Sequence, residues 1–548
     1  MKITVKQISS LEKVRREDTG DYPAYHSQLT LAGGRVSYQL FINTDDQAFM
    51  QVSVESSLAE HIRIYRVREA VMDTPLVVPG PMEDYITHTP GLMPDILVPL
   101  AENKNRLYVD KVPCALWVQV DIPADTAPGS YPVRIFLDAC RPGGEPIEKL
   151  CATMEIGVIP AVMPEQKLIH TRWIYLDCIA QTHGVEIFSE KHWELIDRYI
   201  AAAVDMGVNM LLVPVHTPPL DTEIGTQRPC VQLVDIEKDG DRYHFGFHRF
   251  HRYLALAKKH GIRYFEIAHM FTQWGAKATP NIWVKEKEKA GYLFGWHTPS
   301  DNPGYGEFLK QYIPAIAAEL AKAGVSENTY YHISDEPGMN DLESYRRAAS
   351  LIRSLIGNSK TYDAISEYAF YEKGLIECPV TIVDRVHEFL EHDIPNQWVY
   401  YCCGPTSVYP NGFMAMPSYR VRVMGVLMYK YGIKGFLQWG FNFYNACRSV
   451  YPIDPYVTTS SDGAFPSGDP FLVYPGKDCV YPSIRSRVFY EAVQDMDICY
   501  ALEKRIGKAA VVKLIDEAAG MELRFDSYPR NSAFLLELRQ KLIKTLAE

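Results

Sequence analysis

The sequence predicts an α/β protein in three parts. These are an all-β sandwich domain over residues 1–160, a (β/α)8 TIM-type barrel over 165–505, and a short helical extension over 506–548. Three observations predict this. Alternating apolar and polar runs, broken by Gly, Asp, Asn and Pro, fill the first 160 residues. From about residue 165, helical stretches, single glycines and short apolar strands succeed one another until eight strands have passed. An adjacent acid pair, Asp335-Glu336, closes one of those strands, at the lip where barrels of this kind carry their chemistry.

In the first part, runs such as Val36-Ser37-Tyr38-Gln39-Leu40-Phe41 and Phe49-Met50-Gln51-Val52-Ser53-Val54 have strand periodicity. The stretch Ala115 to Pro123 passes through Ala127-Pro128-Gly129 into Val133-Arg134-Ile135-Phe136-Leu137 and reads as a hairpin at a sandwich edge. Pro160 and Pro164 bracket a linker. In the second part, helices are expected over 189–206, 248–260, 306–323, 341–356 and 418–431. Each is followed by a glycine (Gly207, Gly261, Gly324, Gly357, Gly432), the residue that most readily ends a helix in a left-handed turn. Strands are expected at 169–175, 210–215, 263–268, 329–334, 361–365, 380–384, 397–402 and 435–439. Eight strands over about 340 residues leave room for long loops. A doubly wound sheet is the runner-up, but its Gly-rich nucleotide turn is missing.

Composition excludes several classes. The net charge of −11 argues against nucleic acid, which needs a basic face. The run Lys285-Glu286-Lys287-Glu288-Lys289 alternates in sign and reads as an exposed helix face. Eleven cysteines, an odd number without disulfide or zinc spacing, suit a reducing compartment. With no apolar leader after Met1 and no run of roughly 18 apolar residues, no membrane span is expected and a cytoplasmic location is. His387 and His392 resemble a metalloprotease pair but stand five residues apart, so they do not share a helix face; no metal and no cofactor are expected.

Two neighbouring carboxyls in one pocket cannot both ionise freely, so one of Asp335 and Glu336 should keep its proton and serve as an acid. Many glycosidases place a second carboxylate across the scissile bond. The seventh strand, Trp398 to Pro405, carries none. That leaves substrate assistance, in which a 2-acetamido oxygen attacks its own anomeric carbon. Asp177, Asp363 and Asp384, also near strand ends, keep a conventional two-carboxylate glycosidase as an alternative. A non-catalytic carbohydrate-binding barrel is the alternative of another class. Sugar-binding candidates are Asn209, His216 and His269 near the ends of the second and third strands, and Trp274 in the following loop. Tyr400 (or its neighbour Tyr401), Trp439 and Asn442 join them on the seventh and eighth. Asp469 reads either as part of the site or as a turn cap.

The run His332-Ile333-Ser334-Asp335-Glu336-Pro337 resembles glycoside hydrolase family 123, the β-N-acetylgalactosaminidases. So do Trp117 to Tyr131, Trp398 to Pro405, Gly435 to Asn442, Gly468 to Gly476 and Pro482 to Arg485. The resemblance implies a sandwich plus barrel and a glycan or glycolipid substrate with terminal β-linked N-acetylgalactosamine. It further implies retention of configuration through an oxazoline-type intermediate, with Asp335 orienting the acetamido group and Glu336 as acid/base. Val426 and Pro470 depart from the family pattern.

Overall fold

A computed structural model describes residues 1–77 and 84–548. Ten strands between Ile3 and Val162 form two five-stranded sheets. Their facing side chains, among them Val36, Tyr38, Leu40, Val118, Val133, Ile135, Met154 and Ile156, make one buried layer. The hairpin expected around the Pro-Gly turn is not there. Cys114–Asp121 lies in the middle of one sheet, between Arg35–Thr44 and Ile62–Met72, whereas Gly129–Cys140 lies in the middle of the other. The turn carries the chain across the sandwich. The outer face of the first sheet is covered as well, because Phe41, Tyr65, Ala115 and Trp117 belong to a core shared with barrel helices. That is why polar positions of an alternating strand, Ser37, Gln39 and Gln119, are buried. Gln39 answers its burial by donating to the carbonyls of Ser9 (3.1 Å) and Glu12 (2.7 Å).

The barrel is closed and parallel. Its eight strands, in order, are Ile169–Arg172, Met210–Val213, Tyr264–Ile267, Thr329–Tyr331, Lys360–Ala364, Cys378–Ile382, Trp398–Tyr400 and Gly435–Gln438. The first pairs with the eighth, Ile169 beside Gly435 and Arg172 beside Gln438. Each strand is followed by helix, long after the third (Pro303–Lys322) and only five residues after the fifth and sixth. All five cap glycines have positive φ, from 61° to 86°. Two motif glycines have a different reason. A Cβ on Gly435 would stand 2.1 Å from the Trp398 ring, and one on Gly440 would stand 2.1 Å from the Asp469 carbonyl.

The long loops after the second and third strands build a four-stranded sheet, Asp235–Asp239, Arg242–Gly246, Ile282–Glu286 and Lys289–Phe294. The alternating charge run at 285–289 is therefore a β-hairpin turn and not a helix face. Its charges pair across strands, Lys285 with Glu237 (3.1 Å) and Glu286 with Lys238 (3.0 Å). The last barrel helix, Ile484–Ile506, is followed by Lys508–Ala519 and Ser532–Ala547. Buried ion pairs lock the parts together. Asp95 of the sandwich holds Arg485 at the start of the last barrel helix (2.9 Å), and Asp495 of that helix holds Arg539 of the final one (2.8 Å). No helix among the described residues is long and apolar enough to cross a membrane, and all eleven cysteines are unpaired.

Candidate active site

The C-terminal ends of the barrel strands surround a cleft of about 180 Å³. Trp173 and Tyr175 follow the first strand, Leu220 and Asp221 the second, Gln273 and Trp274 the third, and Asp335 and Glu336 the fourth. Ala364, Tyr400, Cys402, Cys403, Leu437, Trp439 and Phe465 complete it.

The acid pair is fixed from below. Asp363, fully buried at the fifth strand, accepts the backbone N–H groups of Ile333 (3.1 Å) and Ser334 (3.2 Å) and the hydroxyl of Tyr345 (2.6 Å). The same carboxylate meets His332 Nδ1 at 2.9 Å, and Glu266 meets Nε2 at 2.8 Å. Burial alone would push the His332 imidazole down. The hydrogen bonds to Asp363 and Glu266 outweigh it and raise the ring to about 9, so His332 is a cation beneath the site. Glu266 also accepts the Trp173 indole N–H (3.1 Å) and the hydroxyls of Thr171 and Tyr362, which pins the indole against the cleft.

The third-strand loop closes onto the fourth strand's end. Phe271 N–H donates to Ile333 O (2.9 Å), Ser334 Oγ to Thr272 O (2.7 Å), and Trp274 N–H to Asp335 O (2.8 Å). Trp274 (φ 59°) and Glu336 (φ 43°) both hold left-handed backbone that non-glycine residues seldom adopt. Such conformations gather at functional sites, where surrounding contacts enforce them. Glu336 N–H donates to Ala364 O (3.1 Å), which fixes its turn outward from the strand.

Asp335 is half-buried and Glu336 exposed. Burial lifts the Asp335 carboxyl well above the ordinary carboxylate range, and the neighbouring charge of Glu336 lifts it further; cationic His332 opposes both. Tyr400 Oη donates to Glu336 Oε1 at 2.6 Å. Burial and the charge beside it thus bias Asp335 toward its protonated form.

The sequence candidates divide. Trp274, Tyr400 and Trp439 line the cleft with the acids. Strand alternation turns Tyr400 inward and sends Tyr401 to a core on the barrel's outer side. Four do not line the cleft. Asn209 precedes the second strand, at the opposite end of the barrel, where it accepts from His170 N–H (2.8 Å) and donates to Leu168 O (3.0 Å). His216 is buried against the His269 carbonyl (2.8 Å). His269 stacks on His332 with ring centroids 3.7 Å apart, and burial, with the nearby His332 charge, holds it well below the usual imidazole value. Asn442 is buried and pairs with both backbone groups of Tyr175 (2.9 and 3.1 Å), so it places Tyr175 and does not face the cleft.

Of the alternative acids, Asp177 is buried in a two-pronged pair with Arg228 and Asp363 is committed as above; neither they nor Asp384 line the cleft. His269, His332 and Asp363 offer ligand atoms within 4.8 Å of one another, a metal-capable grouping. Both nitrogens of His332 are already engaged by carboxylates, so a cation there would have to displace them. Asp469 is buried and accepts from Trp439 Nε1 (3.2 Å) and Gln438 Nε2 (3.2 Å); burial raises it to about 7 despite those bonds. It orients the indole that lines the cleft.

Sequence reasoning missed Trp173, Tyr175, Asp221 and Gln273. The sequence reads Trp173 and Tyr175 as part of the first strand, which in the structure ends at Arg172. Asp221 and Gln273 sit in loops, where periodicity carries no signal.

The family described as Glycoside hydrolase 123, catalytic domain, matches residues 173–502. In fold the chain is similar to a family 123 glycoside hydrolase from Clostridium perfringens: TM-score 0.73, 16% identity, covering 100% of this chain and 97% of that one. A Thermobacillus composti GH10 xylanase overlaps far less, with a TM-score of 0.32 at 11% identity over 60% of this chain and 97% of its own, and carries no argument. The comparison with curated proteins returned no match. A barrel whose cleft is built around an adjacent Asp–Glu pair, in a chain whose greater part matches one catalytic-domain family, leads to one assignment: the protein is a glycoside hydrolase and belongs to glycoside hydrolase family 123.

Proposed function

We propose that the enzyme is an exo-acting, retaining β-N-acetylgalactosaminidase that uses the substrate's own 2-acetamido oxygen as nucleophile. The observation that carries this reading is the adjacency of Asp335 and Glu336 in one cleft, with Asp177 and Asp363 buried in other work. The small cleft, below the roughly 300–1,000 Å³ of drug-sized ligand sites, favours a terminal sugar over an extended chain. The structurally similar clostridial enzyme acts in glycolipid glycan hydrolysis. A terminal residue on such a glycan is the substrate class proposed here.

In this mechanism the acetamido N–H donates to Asp335. Accepting that bond favours the charged form of Asp335, while Glu336, beside the glycosidic oxygen, carries the proton that the leaving group takes. The acetamido oxygen then attacks the anomeric carbon while Glu336 protonates the leaving oxygen. Asp335 stabilises the positive charge that develops on the amide nitrogen. Water, deprotonated by Glu336, opens the oxazoline from the face the aglycone left, and configuration is retained.

The test is a panel of aryl glycosides. Aryl β-N-acetylgalactosaminide should be cleaved, the gluco epimer more slowly, and plain aryl β-galactoside not at all. Comparable rates with and without the acetamido group would exclude substrate assistance.

A further inference from the structure

Asp221 has no role in the mechanism above, yet it lines the same cleft as Asp335 and Glu336. Three loops hold it there. Its N–H donates to Gln273 Oε1 (2.6 Å) on the third-strand loop, and its carbonyl accepts Ser449 Oγ (2.8 Å) on the eighth-strand loop. Its φ of 39° lies in the left-handed region, so these contacts maintain a conformation an aspartate does not take by default.

The carboxylate itself is under-used. Oδ2 accepts one backbone N–H, from Arg448 at 3.2 Å. The two nearby guanidinium groups are committed elsewhere, Arg448 to Glu223 (3.1 Å) and Arg228 to Asp177. Among the described residues Asp221 forms no ion pair. Burial pushes its carboxyl up to about 6 despite the Arg448 N–H and the two arginine charges, so a further donor at the free oxygen would favour the charged form. Scaffolding does not require the charge, since an asparagine oxygen would accept the Arg448 N–H equally well. Sugar hydroxyls are donors of the missing kind, and a carboxylate oxygen accepts them with the strength of a charge-assisted bond.

We propose that Asp221 is a substrate-binding, specificity-determining carboxylate that accepts a hydrogen bond from a hydroxyl of the bound sugar, on C3, C4 or C6. The assignment rests on a sugar occupying the cleft, and on the proposed function only through the choice of substrate.

The experiment pairs a protein deletion with substrate deletions. 4-Nitrophenyl β-N-acetylgalactosaminide and its 3-, 4- and 6-deoxy analogues are assayed with wild type, Asp221→Asn and Asp221→Ser. If the wild type cleaves the gluco epimer instead, the corresponding analogues of that sugar are used, so failure of the galacto reading does not decide the role of Asp221. Asp221→Ser, too short to reach the hydroxyl, should lower kcat/KM about 10- to 100-fold on the parent substrate, mostly through KM, and Asp221→Asn, which keeps an acceptor without the charge, about 3- to 10-fold. One deoxy analogue should cost the wild type about 10- to 100-fold, Asp221→Asn less than that, and Asp221→Ser less than about threefold, because the serine and the deoxy sugar delete the same bond while asparagine only weakens it. Thermal denaturation should find both variants folded. Three outcomes would overturn the proposal: wild-type kcat/KM in Asp221→Ser, multiplicative losses for all three analogues in that variant, or a covalent glycosyl adduct on Asp221, which would make it a nucleophile.

Discussion

The hydroxyl of Tyr400 donates a 2.6 Å hydrogen bond to Oε1 of Glu336, tying the seventh barrel strand to the acid pair at the end of the fourth. Tyr400 is buried and Glu336 is exposed in a left-handed turn, so the bond ties the exposed partner to the buried one. Tyr400→Phe removes only the hydroxyl. Stability should stay near wild type, while kcat falls about 10- to 100-fold as Glu336 loses its orientation. Steady-state kinetics with a denaturation curve checks this, and an unchanged kcat would leave the bond without a catalytic part.

The two acids should fail differently. Glu336→Gln removes the proton donor, a contribution of about 10²- to 10⁴-fold for a poor leaving group and much less for nitrophenolate. Asp335→Asn should slow every substrate, because ring closure onto the acetamido oxygen precedes departure of any aglycone. A series of aryl glycosides with graded leaving groups reads out the difference. Equal slopes in both variants would contradict the division of labour.

An N-acetylgalactosamine thiazoline imitates the bicyclic intermediate and should bind far more tightly than the free sugar, with Asp335→Asn weakening it more than Glu336→Gln. A 2-fluoro sugar that traps enzymic nucleophiles should leave no adduct by mass spectrometry. A stable adduct on any cleft or strand-end aspartate would establish double displacement instead.

The buried cation beneath the site sets a pH window for stability. His332 is raised to about 9 in the fold against an ordinary 6.5, so the folded state binds the extra proton between those values. Its contribution is complete below about 6.5, is lost as pH rises through about 9, and amounts to about 3 kcal/mol at most. Denaturant titrations from pH 6 to 10 should show stability falling across this window. His332→Gln, which hydrogen-bonds but does not titrate there, should lack that slope, and a slope retained in the variant would assign the effect to other groups.

Much of this protein was determined locally. Apolar period, helix-ending glycines and strand length are nearest-neighbour properties, so the eight barrel strands and the lip position of Asp335-Glu336 were legible from the sequence, as was the absence of a carboxylate on the seventh strand. The motif glycines were legible as a pattern, but their cause, contact with Trp398 and the Asp469 carbonyl, lies between strands far apart in sequence. What only the tertiary structure decided was which polar groups face the cleft. Asn209 and Asn442 look like sugar ligands, but loop closure brings backbone N–H and C=O groups to them that must be satisfied, and they are consumed there. Asp221 and Gln273 look like loop residues until three loops fold over one another and carry them to the acids. Likewise, nothing in the run His332 to Glu336 says that Asp335 is biased toward its protonated form. That follows from burial and from the charges of Glu336 and Asp363, which outweigh the opposing charge of His332 and meet it only when the barrel closes.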